Sequence, residues 1–244
     1  RFNQQLDMDG NRIKFGKRAD ATAEYLAEKQ WGNQNETEPK VNPPKVIQDR
    51  LHIKKGKIKL RELSQVIKRP KKDKAPGPEE AITELYKWLG TENREALLFI
   101  LVICWSEEYF PDDVMLANVA SIFKKGDTKK LENYRPISLL NTFYKIMATD
   151  SQGSLASKVD KYIQKTQYGF RAKRSTAQAL YLTRRIQDLA EQSKEPTAMV
   201  FLDWEKAFDK IDQGRMFRAL ERLNIPVKVI NDIKALYKDP TFVV

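Results

Sequence analysis

The sequence contains a single cysteine, Cys104, and a single histidine, His52. One cysteine cannot form an internal disulfide, so we expect the chain to belong to a reducing, intracellular compartment. One residue of each type is also too few for an all-histidine or a Cys/His metal cage. Any metal that the chain binds must therefore be held by carboxylates.

Long apolar runs are missing as well. The most apolar stretch, Ala96 to Trp105, has about ten residues, whereas a helix needs about 20 to span a bilayer, so we expect a buried helix and no membrane partner. The first residues, R-F-N-Q-Q-L-D, contain no apolar segment of a secretory signal. Because the first residue is Arg1 and not methionine, we expect the chain to be part of a longer protein.

The charge of the chain is strongly positive. The net charge is +11 and the pI is about 9.5, whereas 41% of residues are hydrophobic and 32% are charged. This composition is typical of a soluble globular protein, and its charge favours a polyanionic partner. Charge alone does not separate nucleic-acid binding from a simply basic surface.

The most informative stretch is A-M-V-F-L-D-W-E-K-A-F-D, residues 198–209. Its first five residues predict a short buried strand after Pro196, which places Asp203 where the strand ends. A carboxylate in that position favours a hard cation such as Mg²⁺. Two other interpretations remain open, in which Asp203 caps a following helix or pairs with Lys206.

This stretch resembles the first catalytic motif of the reverse transcriptases of non-LTR retrotransposons, F-x-D-x-x-K-A-F-D. The resemblance implies that Asp203 is catalytic and binds the metal cofactor, Mg²⁺ or Mn²⁺. It also implies that Phe208 lies under the nucleotide sugar and rejects a 2′-hydroxyl, although Phe208 could equally be a core residue. Asp209 is expected to order the turn.

A basic hairpin is predicted from Val119–Phe123 and Tyr134–Leu140, joined by the turn K-K-G-D. The sequence N-Y-R-P-I-S-L-L resembles the first fingers motif of the same family. By this resemblance Lys124, Lys125 and Arg135 face the incoming triphosphate or the template backbone. The alternative is an exposed hairpin without a fixed ligand.

Two more segments are rich in cations. The run K-R-P-K-K-D-K, residues 68–74, suits a nuclear-import signal, a phosphate contact or a solvated loop. It leads into K-A-P-G-P, which resembles the start of the fingers, although the family usually continues with Asp-Gly and this chain has Glu79-Glu80. The segment Q-Y-G-F-R-A-K-R-S-T, residues 167–176, resembles the second fingers motif and combines aromatic residues with cations, as base stacking and phosphate binding require. The candidate nucleic-acid-binding residues are Lys71, Lys72, Lys74, Tyr168, Arg171, Lys173 and Arg174.

The resemblance implies an α+β polymerase right-hand fold, consisting of the fingers and part of the palm. We expect a helix-rich chain with the basic hairpin and one palm strand, and a helix over Phe143–Ile163 that is broken near Gly153. The spacing of Ser175 and Gln178 predicts a capping box and a helix to about Gln192, and the final residues P-T-F-V-V resemble the start of a strand. The expected divisions are an N-terminal extension with a hairpin, a helix and a linker (1–44), the fingers (45–196) and the start of the palm (197–244).

The implied function is that of a fragment of an RNA-directed DNA polymerase that copies retroelement RNA into DNA. Its partners would be an RNA template, a DNA primer or target DNA, and deoxynucleoside triphosphates, in the nucleus or in a cytoplasmic ribonucleoprotein. The family's second aspartate motif, Tyr/Phe-Ala-Asp-Asp, does not occur in this sequence, so we expect the fragment to be inactive alone. The alternative is a non-catalytic RNA- or DNA-binding module derived from such a polymerase.

Overall fold

The computed structural model describes residues 5–32, 51, 53, 58–204 and 206–244. A tight turn at Asp9 and Gly10, bridged by Leu6 and Arg12, precedes the first helix. The helices of the described residues are α1 (Arg18–Tyr25), α2 (Leu60–Lys68), α3 (Thr83–Trp88), α4 (Thr91–Glu107), α5 (Asp112–Met115), α6 (Thr142–Val159), α7 (Thr176–Ser193), α8 (Gln213–Arg222) and α9 (Val227–Leu236). A π-helical turn, Leu26–Gln30, extends α1. The predicted linker, residues 33–44, lies outside the described residues.

Three strands form one sheet in the order β2-β1-β3, with β1 at Leu116–Phe123, β2 at Tyr134–Leu140 and β3 at Thr241–Val243. The pair β1 and β2 is antiparallel and is the predicted basic hairpin, whereas β3 runs parallel to β1. The helix-rich α+β architecture with its hairpin is therefore confirmed.

The main core lies where α2, α4 and α6 pack together. Its fully buried side chains include Leu63, Ile67, Leu101, Ile146 and Met147. Helix α4 buries one face in this core, as predicted for Ala96 to Trp105, and leaves apolar side chains exposed on the other. Cys104 lies on the buried face, where burial raises the pKa of its thiol. Among the described helices, none is both long and apolar enough to cross a bilayer.

Helix α6 is continuous from Thr142 to Val159, so the predicted break near Gly153 is wrong. A Cβ atom at Gly153 would lie 3.2 Å from Nη1 of Arg69, which is tighter than an ordinary contact. The glycine thus lets Arg69 approach the helix. Its intrinsic cost of about 1 kcal/mol is small compared with the packing that holds α6 in the core.

The palm strand predicted at residues 198–202 does not form, and residues 195–204 belong to no helix or strand. Val200, Phe201 and Leu202 are 80%, 81% and 82% exposed. The segment pairs with neither outer strand of the sheet, β2 or β3, in the part of the chain that the structure describes. Without a neighbouring strand, its backbone and its apolar side chains stay exposed.

Candidate nucleotide and nucleic-acid site

The hairpin presents two of the predicted cations on one face. Arg135 is paired with Ile122 across the two strands, and the backbone N–H of Lys124 donates to the carbonyl of Asn133. Side chains alternate between the faces of a sheet, so Lys124, Ile122 and Arg135 lie on the same face. All three are exposed, and neither cation forms a hydrogen bond or ion pair with another described residue.

The turn of the hairpin is ordered by its own side chains. The Asn133 side-chain amide donates to the carbonyl of Asp127 at 2.8 Å, and the Tyr134 hydroxyl donates to the carbonyl of Thr128 at 2.8 Å. Gly126 has a φ of +93°, and a Cβ atom there would lie 2.8 Å from the Asn133 amide nitrogen. Lys125 is exposed in this turn, next to Lys124 in sequence.

The far end of the hairpin is fastened by Asn141, which is 3% exposed. Its Nδ2 donates to the carbonyl of Asp113 at 2.6 Å, and its Oδ1 accepts from the backbone N–H of Glu79 at 3.1 Å. The Glu79 carboxylate in turn accepts from the backbone N–H of Thr142, in the first turn of α6. Glu79, which departs from the family pattern, therefore acts here as a helix cap. Sequence analysis did not find this role, because the two partners are more than 60 residues apart.

The basic segment, residues 68–74, exposes its lysine side chains to solvent. The backbone N–H of Asp73 donates to the Glu84 carboxylate at 2.8 Å, and this bond is the main cause of a lowered pKa for Glu84. Lys71, Lys72 and Lys74 are exposed and make no hydrogen bond or ion pair with the other described residues. Their surroundings are compatible with a phosphate contact, which stays a prediction.

Arg171 is placed differently from the other candidate cations, since its side chain is only 6% exposed. Its Nε donates to the Asp160 carboxylate at 2.8 Å, and its Nη1 donates to the carbonyl of Gln164 at 2.8 Å. The hydrogen bond between the two side chains lowers the pKa of Asp160 and raises that of Arg171. These donors act within the protein and order the loop before α7, and a contact between Arg171 and nucleic acid stays a prediction.

Most of the other residues of this loop, 168–174, are exposed to solvent. Lys173 is exposed, whereas Tyr168 is half-buried with the guanidinium of Arg174 5.6 Å from its ring centre. Phe170 is 94% exposed, and its ring meets that of Phe208 edge to face at 5.6 Å. The loop ends at the capping box of Ser175 and Gln178, as the sequence predicted.

Asp203 is exposed, and neither alternative interpretation of it is observed among the described residues. The next helix begins far from it, with Asp212 as its N-cap. Lys206 is bonded elsewhere, since its Nζ donates to the Tyr25 hydroxyl at 3.2 Å. Phe208 is 73% exposed and so is not a core residue here.

The metal that the family implies needs more ligands than these residues bring together. No group of three His, Cys, Asp or Glu side chains converges within the described ranges. Asp209 is the nearest described carboxylate in sequence, but both its oxygens accept hydrogen bonds, from Gln30 at 3.1 Å and from Trp31 at 3.1 Å. A pair of divalent ions needs several carboxylates. The described residues therefore do not fit a complete metal centre.

The contacts of Gln30 and Trp31 with this turn were not predicted. Both residues lie in the N-terminal extension, 179 and 178 positions from Asp209. No local pattern indicates such a pairing, because helical periodicity identifies which residues are buried and not what they meet.

Comparison with known proteins finds a matching family model and several relatives. A family model described as "Reverse transcriptase (RNA-dependent DNA polymerase)" matches residues 122–241, from the hairpin to β3. The "RNA-directed DNA polymerase from mobile element jockey" of Drosophila melanogaster is 28% identical over 188 residues, which cover 76% of this chain and 20% of that protein. The "Probable RNA-directed DNA polymerase from transposon X-element" of the same organism is 30% identical over 156 residues, 62% of this chain and 17% of the relative.

A third relative is the "Transposon TX1 uncharacterized 149 kDa protein" of Xenopus laevis, which is 26% identical over 194 residues, 80% of this chain and 15% of that protein. The chain thus spans about a fifth or less of the length of the curated relatives it matches. The matched range begins inside the basic hairpin and spans Arg135, the Q-Y-G-F-R loop and Asp203. Residues 122–241 of this chain therefore belong to the reverse transcriptase family, and the chain is similar to RNA-directed DNA polymerases of mobile elements.

Proposed function

We propose that this chain is the nucleotide- and template-binding part of an RNA-directed DNA polymerase that copies retroelement RNA into DNA. The observation that carries the proposal is the exposed face of the hairpin, where Lys124 and Arg135 stand together inside the segment that matches the reverse transcriptase model. A triphosphate carries several negative charges, and fixed cations without protein partners suit it. The substrates in this proposal are deoxynucleoside triphosphates, an RNA template, and a DNA primer or target DNA.

Asp203 is the carboxylate that the chain would contribute to the metal centre. A bound Mg²⁺ or Mn²⁺ would neutralise the charge that develops on the transferred phosphoryl group. Since the described residues do not complete a donor set, Asp203 is proposed as one ligand among several. Phe208, on the exposed turn that follows, is proposed to exclude the 2′-hydroxyl of a ribonucleotide.

The remaining cations are proposed to bind the nucleic-acid backbone. They are found in the loop before α3 and in the loop before α7. Contacts of this kind add affinity without sequence specificity and depend steeply on salt. The cations are Lys71, Lys72, Lys74, Lys173 and Arg174, and Tyr168 is proposed to stack on a base, with Arg171 ordering the second loop.

One observation favours a second candidate function, a binding module without catalysis. It is the absence, among the described residues, of any cluster of three ligands for a metal. In that case the cations would still bind nucleic acid, whereas Asp203 would have no chemical role.

The binding of a deoxynucleoside triphosphate tests the hairpin site directly. We expect Lys124→Gln combined with Arg135→Gln to raise the Kd for dATP at least about tenfold, because charge-assisted hydrogen bonds are worth about 1.5 to 3 kcal/mol each. Lys238→Gln is the control for each single variant, since it removes one positive charge just before β3. Thr241 of β3 pairs with Leu116, at the opposite end of β1 from Lys124. An unchanged Kd for the double variant would refute the hairpin site.

A further inference from the structure

The N-terminal extension holds the turn that follows Asp203. The Gln30 side chain donates through Nε2 to the Asp209 carboxylate at 3.1 Å and accepts through Oε1 from Nζ of Lys206 at 3.2 Å. Gln30 is only 6% exposed, so this amide is shielded from water while both its ends are bonded. A buried amide in this arrangement fixes the distance between a cation and an anion three residues apart.

Two aromatic residues complete the contact. The indole N–H of Trp31 donates to the second oxygen of Asp209 at 3.1 Å. The Tyr25 hydroxyl accepts from Nζ of Lys206 at 3.2 Å, and the ammonium also lies 5.6 Å from the Tyr25 ring centre. Each charged group of the turn is therefore held by two side chains of the extension, and bonds that involve a charged partner are the stronger kind.

The same extension is joined to the sheet. The ring of Trp31 meets that of Phe242 edge to face, with ring centres 4.9 Å apart. Phe242 belongs to β3 and pairs with Ala117 of β1, the strand that leads to Lys124. Trp31 thus contacts the turn through its N–H and the sheet through its ring.

We infer that Gln30 and Trp31 are positioning residues, which fix the turn at residues 206–209 relative to the sheet that carries the basic hairpin. Phe208 lies within this turn, between the two residues that the extension holds. The inference rests on the proposed function, because Phe208 is there the residue that rejects the 2′-hydroxyl. The extension would consequently determine how strictly the site selects deoxyribonucleotides.

The variant Trp31→Phe tests the contact itself, since it removes the N–H donor and keeps a ring that can pack on Phe242. We expect amide hydrogen exchange in the peptide that contains residues 206–210 to become about tenfold faster in the 244-residue chain. Trp88→Phe is the matched control, because Trp88 is 73% exposed and lies on α3. In an Asp209→Ala background, Trp31→Phe should have no further effect on this exchange.

The second readout is nucleotide selectivity, measured as the ratio of the Kd values for ATP and dATP. We expect Trp31→Phe to lower this ratio about threefold or more and Trp88→Phe to leave it unchanged. Unchanged exchange at residues 206–210 would overturn the contact, and faster exchange with an unchanged ratio would overturn the positioning role. If the unmodified chain binds neither nucleotide, the proposed function fails, and the exchange experiment still decides whether the extension holds the turn.

Discussion

Replacing Asn141 with alanine is expected to destabilise the fold strongly, because this side chain joins three segments from a buried position. Asn141 is 3% exposed and makes two hydrogen bonds, to Asp113 at 2.6 Å and from Glu79 at 3.1 Å. Removing the side chain leaves two backbone groups without a partner, and a part-buried group of this kind costs about 1 to 2 kcal/mol. Asn141→Ala should therefore lower the free energy of unfolding by about 2 to 4 kcal/mol.

Urea unfolding measures this change. A lower midpoint concentration of urea, with an unchanged slope of the unfolding free energy against urea, would show that only the stability has changed. The control is Asn93→Ala in the first turn of α4, where the side chain is exposed and the effect should stay within about 0.5 kcal/mol. Asn141→Asp keeps an oxygen to accept from Glu79 and loses the donor to Asp113, but it also adds a negative charge beside the Glu79 carboxylate. A loss below about 0.5 kcal/mol for Asn141→Ala would refute the role of this junction.

Three further changes have distinct outcomes. Leu101→Ala, at a position with no exposed surface, should cost about 2 to 5 kcal/mol in chemical unfolding, whereas Phe99→Ala on the exposed face of α4 should cost far less. Burial raises the pKa of Tyr144 to about 12, whereas the hydroxyl of an unfolded tyrosine has a pKa of about 10. The neutral form therefore stabilises the fold fully below pH about 10, and this contribution is lost as the pH rises through about 12. Tyr144→Phe should make unfolding less dependent on pH in that range. Arg171→Gln should lower the Tm and leave the salt dependence of RNA binding unchanged, because the donors of Arg171 bond within the protein, whereas Lys173→Gln should reduce that salt slope by about one and leave the Tm unchanged.

Each of these expectations has a contrary result. Equal losses for the two α4 variants would show that the core is not where the structure places it. An alkaline dependence that survives Tyr144→Phe unaltered would assign the effect to other groups. A reduced salt slope for Arg171→Gln with an unchanged Tm would mean that Arg171 binds nucleic acid and does not order its loop.

The elements that were predicted correctly are those whose signals are local. The hairpin follows from two short β-prone runs around Gly126, and the start of α7 follows from the spacing of Ser175 and Gln178. Phe242 belongs to a strand, as the apolar end of the chain suggested. Turn and capping chemistry act over three or four residues, so a single sequence contains the information.

The errors have a common physical cause, because each depends on residues that are distant in sequence. The apolar run at 198–202 has strand composition, but a strand also needs a neighbour to bond its backbone, and none of the described residues provides one. Gly153 remains in a continuous helix because the packing of α6 against α2 and α4 outweighs the intrinsic cost of the glycine. The contacts of Gln30 and Trp31 with Asp209 join residues almost 180 positions apart, and no periodic pattern indicates them.

Primer extension on an RNA template tests the central claim most directly, with Asp203→Asn in the full-length polymerase. We expect this variant to lose extension by at least about a thousandfold while RNA binding changes less than about twofold, because the amide cannot serve as a charged metal ligand. Asp239→Asn makes the same chemical change at an exposed position and should extend normally. Extension at an unchanged rate by Asp203→Asn, or no extension by the unmodified protein, would contradict the proposed polymerase function.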